Sequence, residues 1–471
     1  MPGIPGFRST QASMSSISAV GAEDAGRSLA DAALLWSSRD LCLTLALFPY
    51  TYKILFEKGS NQRTSVFGSN AICFFVLRGP DTMIRVDKAR RIKELPPYLF
   101  AKLDAVKEEQ VAKGVDVIDL TIGDPDLPTP GPIISHMKQA LDNPEHHRYP
   151  SYVGMMALRK AVAEWYWKRF SIRLDPQKEV IILIGSKEGI AHIPLAFIDP
   201  GDYGLIPDPG YPVYRTSTLF AGGQPFFMPL TRANQYQPDL TAIPVSVAEN
   251  AKLIFFNYPN NPTAATAESP FFEEMVQFCE RHNIIACHDA AYTEVYYDGY
   301  KPSSFLEVPG AKEVGIEFHS FSKTFNMTGW RLGFAVGNAD VIAELGQIKT
   351  NIDSGAFQAV QEAGIFALSQ DPSASDDLRK TYQERRDILI AGLRKRGLTV
   401  DSPRATFYVW MPVPGGFTSM DFTTLVLDKT GVLITPGNGF GSNGEGFVRF
   451  SLTAPTERIK EAVDRLASIS F

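Results

Sequence analysis

Short apolar runs alternate with amphipathic stretches from residue 83 onward. The runs end at Gly, Pro, Asn or Asp and read "EVIILIG", "YGLIPD", "AKLIFFNYP", "NIIACHDA", "GIEFHSFS" and "RLGFAVG". Between them lie stretches with helical spacing, among them "GMMALRKAVAEWYWKRF", "SPFFEEMVQFCERHN" and "DLRKTYQERRDILIAGLRKRG". Buried strands separated by helices are typical of a mostly parallel sheet that is covered on both faces. The pattern therefore predicts an α/β fold.

The pattern changes after the helix predicted over 380–397. The runs "ATFYVWMPV", "GVLITPG" and "GFVRFSL" alternate more regularly between apolar and polar positions, which indicates strands of a smaller α+β domain. We predict a large domain over 125–355 and a C-terminal small domain over 356–471. Residues 83–124 are expected to form an N-terminal arm and part of the small domain.

The first 82 residues have no regular period and are rich in Ser, Gly and Ala near their start. The apolar stretch 41–56 contains Pro49 and Lys53 and is shorter than the roughly 20 residues of a membrane span. Acidic residues upstream of it argue against a signal peptide or a transit peptide. We interpret 1–82 as a poorly ordered extension ahead of Met83, with a targeting role as the alternative.

Composition narrows the class of protein. The chain has 471 residues, of which 44% are hydrophobic and 21% charged, with a formal net charge of -6. These values are ordinary for a globular protein and provide no basic field for nucleic acid or an anionic membrane. The four cysteines form no C-x-x-C pair, which favours a reducing compartment such as the cytoplasm. No metal site is predicted, because Cys287 and His288 read as a buried strand entering a loop and not as a spaced ligand set.

Unusual polar residues follow the predicted strands at the edge where open parallel sheets bind ligands. A Gly-Ser turn at Ser186 leads into a helix and presents free N–H groups suited to a phosphate. Asn261, Asp289 with Tyr292, and Lys323 follow three further strands. Each has a simple structural explanation taken alone, as a turn, a helix cap or a surface lysine. Together they fit pyridoxal phosphate, which needs an amine, a ring-nitrogen acid and donors for its phosphate and 3-oxygen.

The motifs resemble those of the class I pyridoxal-phosphate-dependent aminotransferases of fold type I. "SFSKTFNMTGWRLG" resembles the family's lysine signature, "NYPNNPT" its asparagine loop and "DAAY" its acid–tyrosine pair. The resemblance covers residues 83–471. It implies that Lys323 forms the Schiff base with the cofactor, that Asp289 pairs with its ring nitrogen, and that Asn261 and Tyr292 bind its 3-oxygen.

The resemblance also implies contacts around the cofactor and the substrate. Tyr211 would stack on the ring, Tyr149 would cross a homodimer interface to the partner's phosphate, and Arg449 would bind the substrate α-carboxylate. The phosphate would be held by Ser186 and Lys187 (mainly through their backbone), Ser320, Ser322 and Arg331.

Within the family, "RIKELPPYLFAKLD", "TIGDPDLPTP" and "GSKEGIAHIPLAF" are most similar to the LL-diaminopimelate aminotransferases of bacteria and archaea. That similarity implies substrate contacts from Tyr98 and Gly123, and another near Asn351 or Ser354. It implies transfer of an amino group between LL-2,6-diaminopimelate and 2-oxoglutarate.

Other readings of the chemistry stay open. The substrate could instead be aspartate, alanine or an aromatic amino acid, or the same cofactor could serve a C–S lyase. A regulator with an aminotransferase-like domain is disfavoured, because residues 1–82 show no helix-turn-helix pattern and carry seven Lys and Arg against six Asp and Glu.

One residue departs from the family pattern. Ala264 stands where the family has glycine after "NNPT". If this position has a positive φ, the alanine costs about 1 kcal/mol; otherwise the change is neutral.

Overall fold

The structure is a computed structural model that describes residues 87–95, 99–371 and 375–469, together with five strands between residues 33 and 75. Tyr98, one of the predicted substrate contacts, lies outside the described residues. The chain forms two compact units, 1–88 and 89–471. Among the helices of the described residues, none is both long and apolar enough to cross a membrane.

The strands of the first unit form one antiparallel sheet in which each strand pairs with the next along the chain. The sequence analysis did not predict these strands. The poorly ordered extension stays a prediction, because the rest of 1–82 lies outside the described residues. The five strands are β1 (Ala33–Trp36), β2 (Cys42–Leu47), β3 (Tyr50–Phe56), β4 (Thr64–Gly68) and β5 (Ala71–Phe75).

The second unit contains a seven-stranded sheet, a three-stranded sheet and a two-stranded sheet. Its strands are β6 (Ile118–Asp119), β7 (Val180–Leu183), β8 (Tyr203–Asp208), β9 (Gln224–Pro229), β10 (Ala251–Asn257), β11 (Ile285–Asp289), β12 (Gly315–Ser320), β13 (Gly333–Gly337), β14 (Tyr408–Pro412), β15 (Val432–Leu433), β16 (Thr435–Pro436) and β17 (Phe447–Ser451). The order in the large sheet is β7-β13-β12-β11-β10-β8-β9. All six strands predicted for this sheet are present; β9 was not predicted, and its residues are mostly exposed or half-buried.

Fifteen α-helices connect and cover the strands of the described residues. They are α1 (Arg90–Lys93), α2 (Leu99–Ala112), α3 (Gly131–Leu141), α4 (Met156–Phe170), α5 (Ser186–Phe197), α6 (Pro212–Phe220), α7 (Val245–Ala248), α8 (Ser269–His282), α9 (Ala311–Val314), α10 (Phe321–Thr324), α11 (Ala339–Ile352), α12 (Gln358–Ser369), α13 (Asp376–Lys395), α14 (Ser419–Thr430) and α15 (Thr456–Leu466). The three helices quoted from the sequence correspond to α4, α8 and α13.

The large sheet is buried on both faces, as the sequence predicted. Alternate residues of β10 enter two different cores: Ile254 and Phe256 pack on one face, Leu253 and Phe255 on the other. The first core includes residues of α4, α8 and α12, whereas the second includes residues of α5 and α11. Because side chains alternate along a strand, a strand covered on both faces has to be apolar throughout. The α/β fold class is confirmed.

One strand of the large sheet runs against the others. β13 is antiparallel to both of its neighbours, β7 and β12, so that Ser320 at the end of β12 lies opposite Gly333 at the start of β13. The chain between these strands therefore begins and ends at the same edge of the sheet. That edge is also where β10 and β11 end, with Asn257 beside Asp289.

The C-terminal strands form a separate core. β14, β17 and β16 make an antiparallel sheet, and β15 pairs in parallel with β6 from the start of the unit. Ile118 consequently packs with residues of β14, α14 and α15. A second domain that draws residues from both ends of the unit was expected; its boundaries, 83–124 and 356–471, stay predictions.

A fully buried lysine connects two helices on one face of the large sheet. Nζ of Lys349 in α11 lies 3.1 Å from both carboxylate oxygens of Glu188 in α5 and 2.7 Å from Oδ1 of Asp353. Glu188 also accepts the N–H of Ile184 at 2.6 Å. Removing one partner of a buried ion pair leaves an uncompensated buried charge, which is strongly destabilising.

We expect Lys349→Met to lower the free energy of unfolding by about 3–5 kcal/mol, because two carboxylates would lose their counter-ion. The matched control is Lys113→Met, which removes an exposed pair with Glu109 and should cost no more than about 1 kcal/mol. Urea unfolding of the two variants and the parent measures both. Equal losses in the two variants would contradict the prediction.

Candidate active site

A cavity of about 310 Å³ lies at the edge of the large sheet where β10, β11 and β12 end. Eight of the residues predicted for the site line it: Gly123, Ser186, Tyr211, Asn261, Asp289, Tyr292, Lys323 and Arg449. The other lining residues are Ile122, Asn257, Ala291, Tyr408 and Phe440. The polar residues at successive strand ends are therefore brought together in one place.

Lys323 lies in the short helix α10, directly after β12. Its Nζ donates a hydrogen bond to the carbonyl oxygen of Gly123 at 2.8 Å and lies 5.7 Å from the ring centre of Phe407. Burial lowers the pKa of Lys323 to about 8, and the charges of Arg331 and Arg449 act in the same direction. An amine with this pKa is half neutral near pH 8, and its neutral form is able to act as a nucleophile or a base.

Asp289 is the last residue of β11 and is almost fully buried. Its Oδ2 accepts the hydroxyl of Tyr214 at 2.7 Å, whereas its Oδ1 is buried and has no hydrogen-bond partner among the described residues. Burial raises the pKa of Asp289, and the Tyr214 hydrogen bond and the charge of His288 oppose that rise. A buried carboxylate oxygen without a donor is costly, so this atom requires a cationic or N–H partner from within the cavity.

Arg449 enters the cavity from β17 and is 1% exposed. Its Nη1 donates to Oδ1 of Asn261 at 2.6 Å, and Nη2 donates to the carbonyl oxygen of Thr121. The guanidinium lies 4.1 Å from the ring centre of Tyr408 and 4.6 Å from that of Phe440. A planar cation held between two rings presents its donors in a fixed orientation, which suits a carboxylate.

Two tyrosines close the cavity beside Gly123. The hydroxyl groups of Tyr292 and Tyr408 lie 3.0 Å apart, and burial keeps the pKa of Tyr292 well above its usual value. A Cβ on Gly123 would lie 1.8 Å from the Tyr408 hydroxyl, so that only glycine fits there. Gly123 was predicted to contact the substrate, and the structure leaves no room for a side chain at this position. The substrate contact itself stays a prediction.

The turn at the start of α5 lies against Arg331 and the start of β13. Gly185 has φ 76°, and a Cβ there would lie 2.5 Å from Nη2 of Arg331, so the guanidinium lies against this turn. A Cβ on Gly333 would lie 2.6 Å from the backbone nitrogen of Ser186. Because β13 is antiparallel, its first residues and Arg331 reach the same helix N-terminus, where N–H groups and a positive dipole favour an anion.

Other residues predicted for the phosphate do not line the cavity. Lys187 is exposed and is absent from the cavity lining. Ser320 and Ser322 are buried, and the N–H of Ser322 donates to Oγ of Ser320 at 3.2 Å. The roles of these three residues stay predictions.

Tyr149 lies away from the cavity and is 86% exposed. Exposure of this degree is unusual for a tyrosine and is expected of a side chain that reaches a partner subunit. Asn351 is exposed and Ser354 is half-buried; neither lines the cavity.

Sequence reasoning missed three side chains that shape the site. Tyr214, the donor to Asp289, stands one helical turn after Tyr211 in "PDPGYPVY", and this i,i+3 spacing is the signal that could have found it. Tyr408 and Phe440 had no such signal. They come from β14 and from a turn that follows β16, far along the chain from the large sheet.

The family's sequence profile, described as aminotransferase class I and II, matches residues 115–466. This chain belongs to that family. It is an aminotransferase, and the predicted fold type is confirmed by its structural neighbours. Aminotransferases of this family depend in general on pyridoxal phosphate.

Curated relatives and a solved structure extend the comparison. The chain is 58% identical over 384 residues to the LL-diaminopimelate aminotransferase of Syntrophobacter fumaroxidans, covering 82% of this aminotransferase and 99% of the relative. It is 57% identical to the enzyme of that name from Moorella thermoacetica, covering 82% and 98% of the two chains. The apo structure of BacF from Bacillus subtilis is 38% identical, with a TM-score of 0.79 over 82% of this chain and 99% of BacF.

The departure at Ala264 has a structural consequence. Its φ is 58°, in the left-handed region, within a tight turn where its N–H donates to the carbonyl oxygen of Asn260 at 2.9 Å. An L-residue with a side chain is strained there by about 1–2 kcal/mol. Ala264 therefore has the positive φ at which an alanine lowers stability.

The low pKa of Lys323 predicts its reactivity. In the cofactor-free protein, acetylation of Lys323 by acetic anhydride should be half-maximal near pH 8, because only the neutral amine reacts. N-acetyl-lysine in the same tube should reach its half-maximum near pH 10.4. Mass spectrometry of the peptide that contains Lys323 measures the profile. Coincidence of the two profiles would contradict the lowered pKa.

The strain at Ala264 predicts an unusual order of stabilities. Ala264→Gly should be more stable than Ala265→Gly by about 1–2 kcal/mol, because only the first relieves a positive φ while both add the same freedom to the unfolded chain. Thermal unfolding of the two variants measures the difference. If Ala264→Gly is the less stable of the two, the turn is not strained.

Proposed function

We propose that this aminotransferase binds pyridoxal 5'-phosphate in the cavity and transfers an amino group between LL-2,6-diaminopimelate and 2-oxoglutarate. The observation that supports the substrate is the similarity to enzymes of that name, 58% identical over 99% of the relative's length. The observation that supports the cofactor is the buried, unpartnered Oδ1 of Asp289 in a cavity that also contains Lys323.

The residues present fit this cofactor in their chemistry. A protonated ring nitrogen would give Oδ1 of Asp289 the cationic donor it lacks. The turn at Gly185 and Ser186, with Arg331 against it, would hold the phosphate. Asn261 and Tyr292 offer polar groups for the 3-oxygen, and the ring of Tyr211 lines the same cavity.

When bound, pyridoxal phosphate supplies an aldehyde that condenses with amines and a protonated ring that withdraws electrons from the bonds at the amino acid's Cα. Asp289 keeps the proton on the ring nitrogen, since its carboxylate is buried and held by Tyr214. Lys323, whose amine is half neutral near pH 8, would take the proton from the substrate Cα at Nζ and pass it to the carbon of the cofactor's aldehyde group.

Arg449 orients the substrate. Its two terminal nitrogens now donate to the side chain of Asn261 and the backbone of Thr121, and a carboxylate that enters the cavity would offer two charged acceptors in the plane of the guanidinium. The aromatic rings on either side of the guanidinium keep water from its faces. With its α-carboxylate bound here, the substrate would share the cavity with Lys323.

We also propose a homodimer as the active unit. The observation that supports it is the 86% exposure of Tyr149, whose ring would be buried against a second copy. In such a dimer, Tyr149 would complete the phosphate site of the partner subunit.

The test mixes the purified full chain, loaded with pyridoxal phosphate, with LL-diaminopimelate and 2-oxoglutarate. We expect glutamate to form together with the oxo product, which loses water on cyclising to tetrahydrodipicolinate. Turnover with aspartate, alanine or an aromatic amino acid alone would overturn the substrate and leave the class intact. Release of pyruvate from a cysteine conjugate without glutamate would instead indicate a lyase.

The Lys323→Ala variant tests whether Lys323 is the residue that binds the cofactor covalently. It should retain the cavity and lose the visible absorbance of lysine-bound cofactor, with activity reduced by several orders of magnitude, because no other lysine lines the cavity among the described residues. A visible band that survives dialysis unchanged in this variant would contradict the assignment of Lys323.

A further inference from the structure

The last residue of β8, Asp208, has a buried carboxyl group that the reaction as described does not use. Its side chain is 2% exposed and does not line the cavity. Burying a carboxylate is costly unless hydrogen-bond donors surround it. The donors around Asp208 therefore indicate which part of the molecule this residue holds in place.

Three hydrogen bonds to Asp208 come from one turn, formed by residues 437–444 between β16 and β17. Oγ of Ser442 and Nδ2 of Asn443 donate to Oδ2 at 2.7 Å and 2.9 Å, and the backbone N–H of Asn443 donates to Oδ1 at 3.2 Å. A Cβ on Gly441 would lie 1.8 Å from Oδ1, so the backbone of the turn lies directly against this side chain. Because hydrogen bonds to an ionised acceptor are stronger than those between neutral groups, Asp208 holds the turn firmly.

A fourth hydrogen bond extends this contact to the cavity wall. The N–H of Gly210, two residues after Asp208, donates to the carbonyl oxygen of Phe440 at 2.9 Å. The ring of Phe440 lines the cavity, and its centre lies 4.6 Å from the guanidinium of Arg449. The turn that Asp208 holds therefore contributes one of the two rings between which Arg449 lies.

The strand and the turn differ in how firmly they are anchored. Asp208 is the register partner of Pro229, and β8 pairs with both β9 and β10 inside the large sheet. Ser442 and Asn443 are exposed. Exposed turns open locally at a lower free-energy cost than the strands of a buried sheet. Loss of the hydrogen bonds to Asp208 would consequently release the turn and leave the strand in place.

We propose that Asp208 is a positioning residue for the substrate carboxylate: by holding the 437–444 turn against the large sheet, it keeps the ring of Phe440 over the guanidinium of Arg449. The carboxylate part of this inference rests on the proposed function, whereas the placement of Phe440 by Asp208 does not. A ring over the guanidinium excludes water from one face and restricts its orientation. Both effects favour a planar, two-pronged contact with a carboxylate.

Arginine modification of the cofactor-free full chain tests the placement of Phe440. Phenylglyoxal reacts with guanidinium groups that solvent reaches, and Arg449 is 1% exposed. In Asp208→Ala we expect modification of Arg449 to be faster by at least about fivefold, because the turn that covers it opens more often. Arg386, 3% exposed and outside the cavity lining, is the internal control and should react as in the parent.

Mass spectrometry of the two arginine-containing peptides measures both rates. An unchanged rate at Arg449 would overturn the proposal. Equal acceleration at Arg449 and Arg386 would overturn it as well, because it would indicate that the whole fold had loosened.

Binding of 2-oxoglutarate tests the consequence for the substrate. The protein loaded with pyridoxal phosphate has no amino group to give to this oxo acid, so calorimetry measures binding without turnover. Asp208→Ala should weaken binding by about fivefold or more, because Arg449 and the turn then have to be ordered when the ligand binds. Asp208→Asn keeps one acceptor oxygen for the turn and should weaken binding less. Asp239→Ala removes two hydrogen bonds from a surface turn outside the cavity lining and should bind like the parent.

The outcomes separate this inference from the proposed function. If the parent fails to bind 2-oxoglutarate, the proposed function is wrong, and the modification of Arg449 still decides whether Asp208 places Phe440. If the parent binds and Asp208→Ala binds equally tightly, the positioning role is wrong. The role is also overturned if Asp208→Asn binds no better than Asp208→Ala, or if Asp208→Ala loses as much affinity for pyridoxal phosphate as for 2-oxoglutarate.

Discussion

A carboxylate buried at the end of β11 is the constraint on which the rest of the site depends. Asp289 is 6% exposed, and its environment has to offset the cost of burying a charge. Tyr214 donates one hydrogen bond to it, and Oδ1 has no hydrogen-bond partner among the described residues. The cavity is therefore suited to a ligand that places a cationic N–H group against Oδ1 of Asp289. A neutral ring would leave the same atom unsatisfied.

Buried, hydrogen-bonded pairs of ionisable side chains lie on both faces of the sheet, and each pair involves an element that also contributes a residue to the cavity wall. The first turn of α5 contains Ser186 on the cavity side and Glu188, which is paired with Lys349, on the other. At the end of β11, Asp289 faces the cavity, while His288 is paired with Glu317. Such pairs contribute little net stability compared with apolar packing. They do fix the position and orientation of the elements that contain them, and a site that orients a small ligand requires this rigidity.

Two basic side chains, Lys323 and Arg449, share the cavity. Lys323 contacts a carbonyl oxygen, and Arg449 contacts an amide and a carbonyl oxygen between two aromatic rings. Burial lowers the pKa of both groups, with different consequences. It moves the pKa of Lys323 to about 8, which makes the amine available as a base, whereas the guanidinium of arginine keeps its proton in proteins. The same low-dielectric pocket thus produces one reactive neutral amine and one permanent carboxylate binder.

The sequence by itself determined the fold class and most of the chemical groups of the site. Short-range pattern specified the six strands, and the residues that follow them, Asp289 and Lys323 among them, were placed correctly because parallel strands end at one edge. Other features depended on contacts between distant parts of the chain. Arg449 meets Asn261 across 188 residues, and Tyr408 reaches Gly123 only because the C-terminal strands pack against the edge of the large sheet. The pairing of His288 with Glu317 and the positive φ of Ala264 were likewise decided by the tertiary structure, since both depend on hydrogen-bond partners and backbone geometry that neighbouring residues in the sequence do not determine.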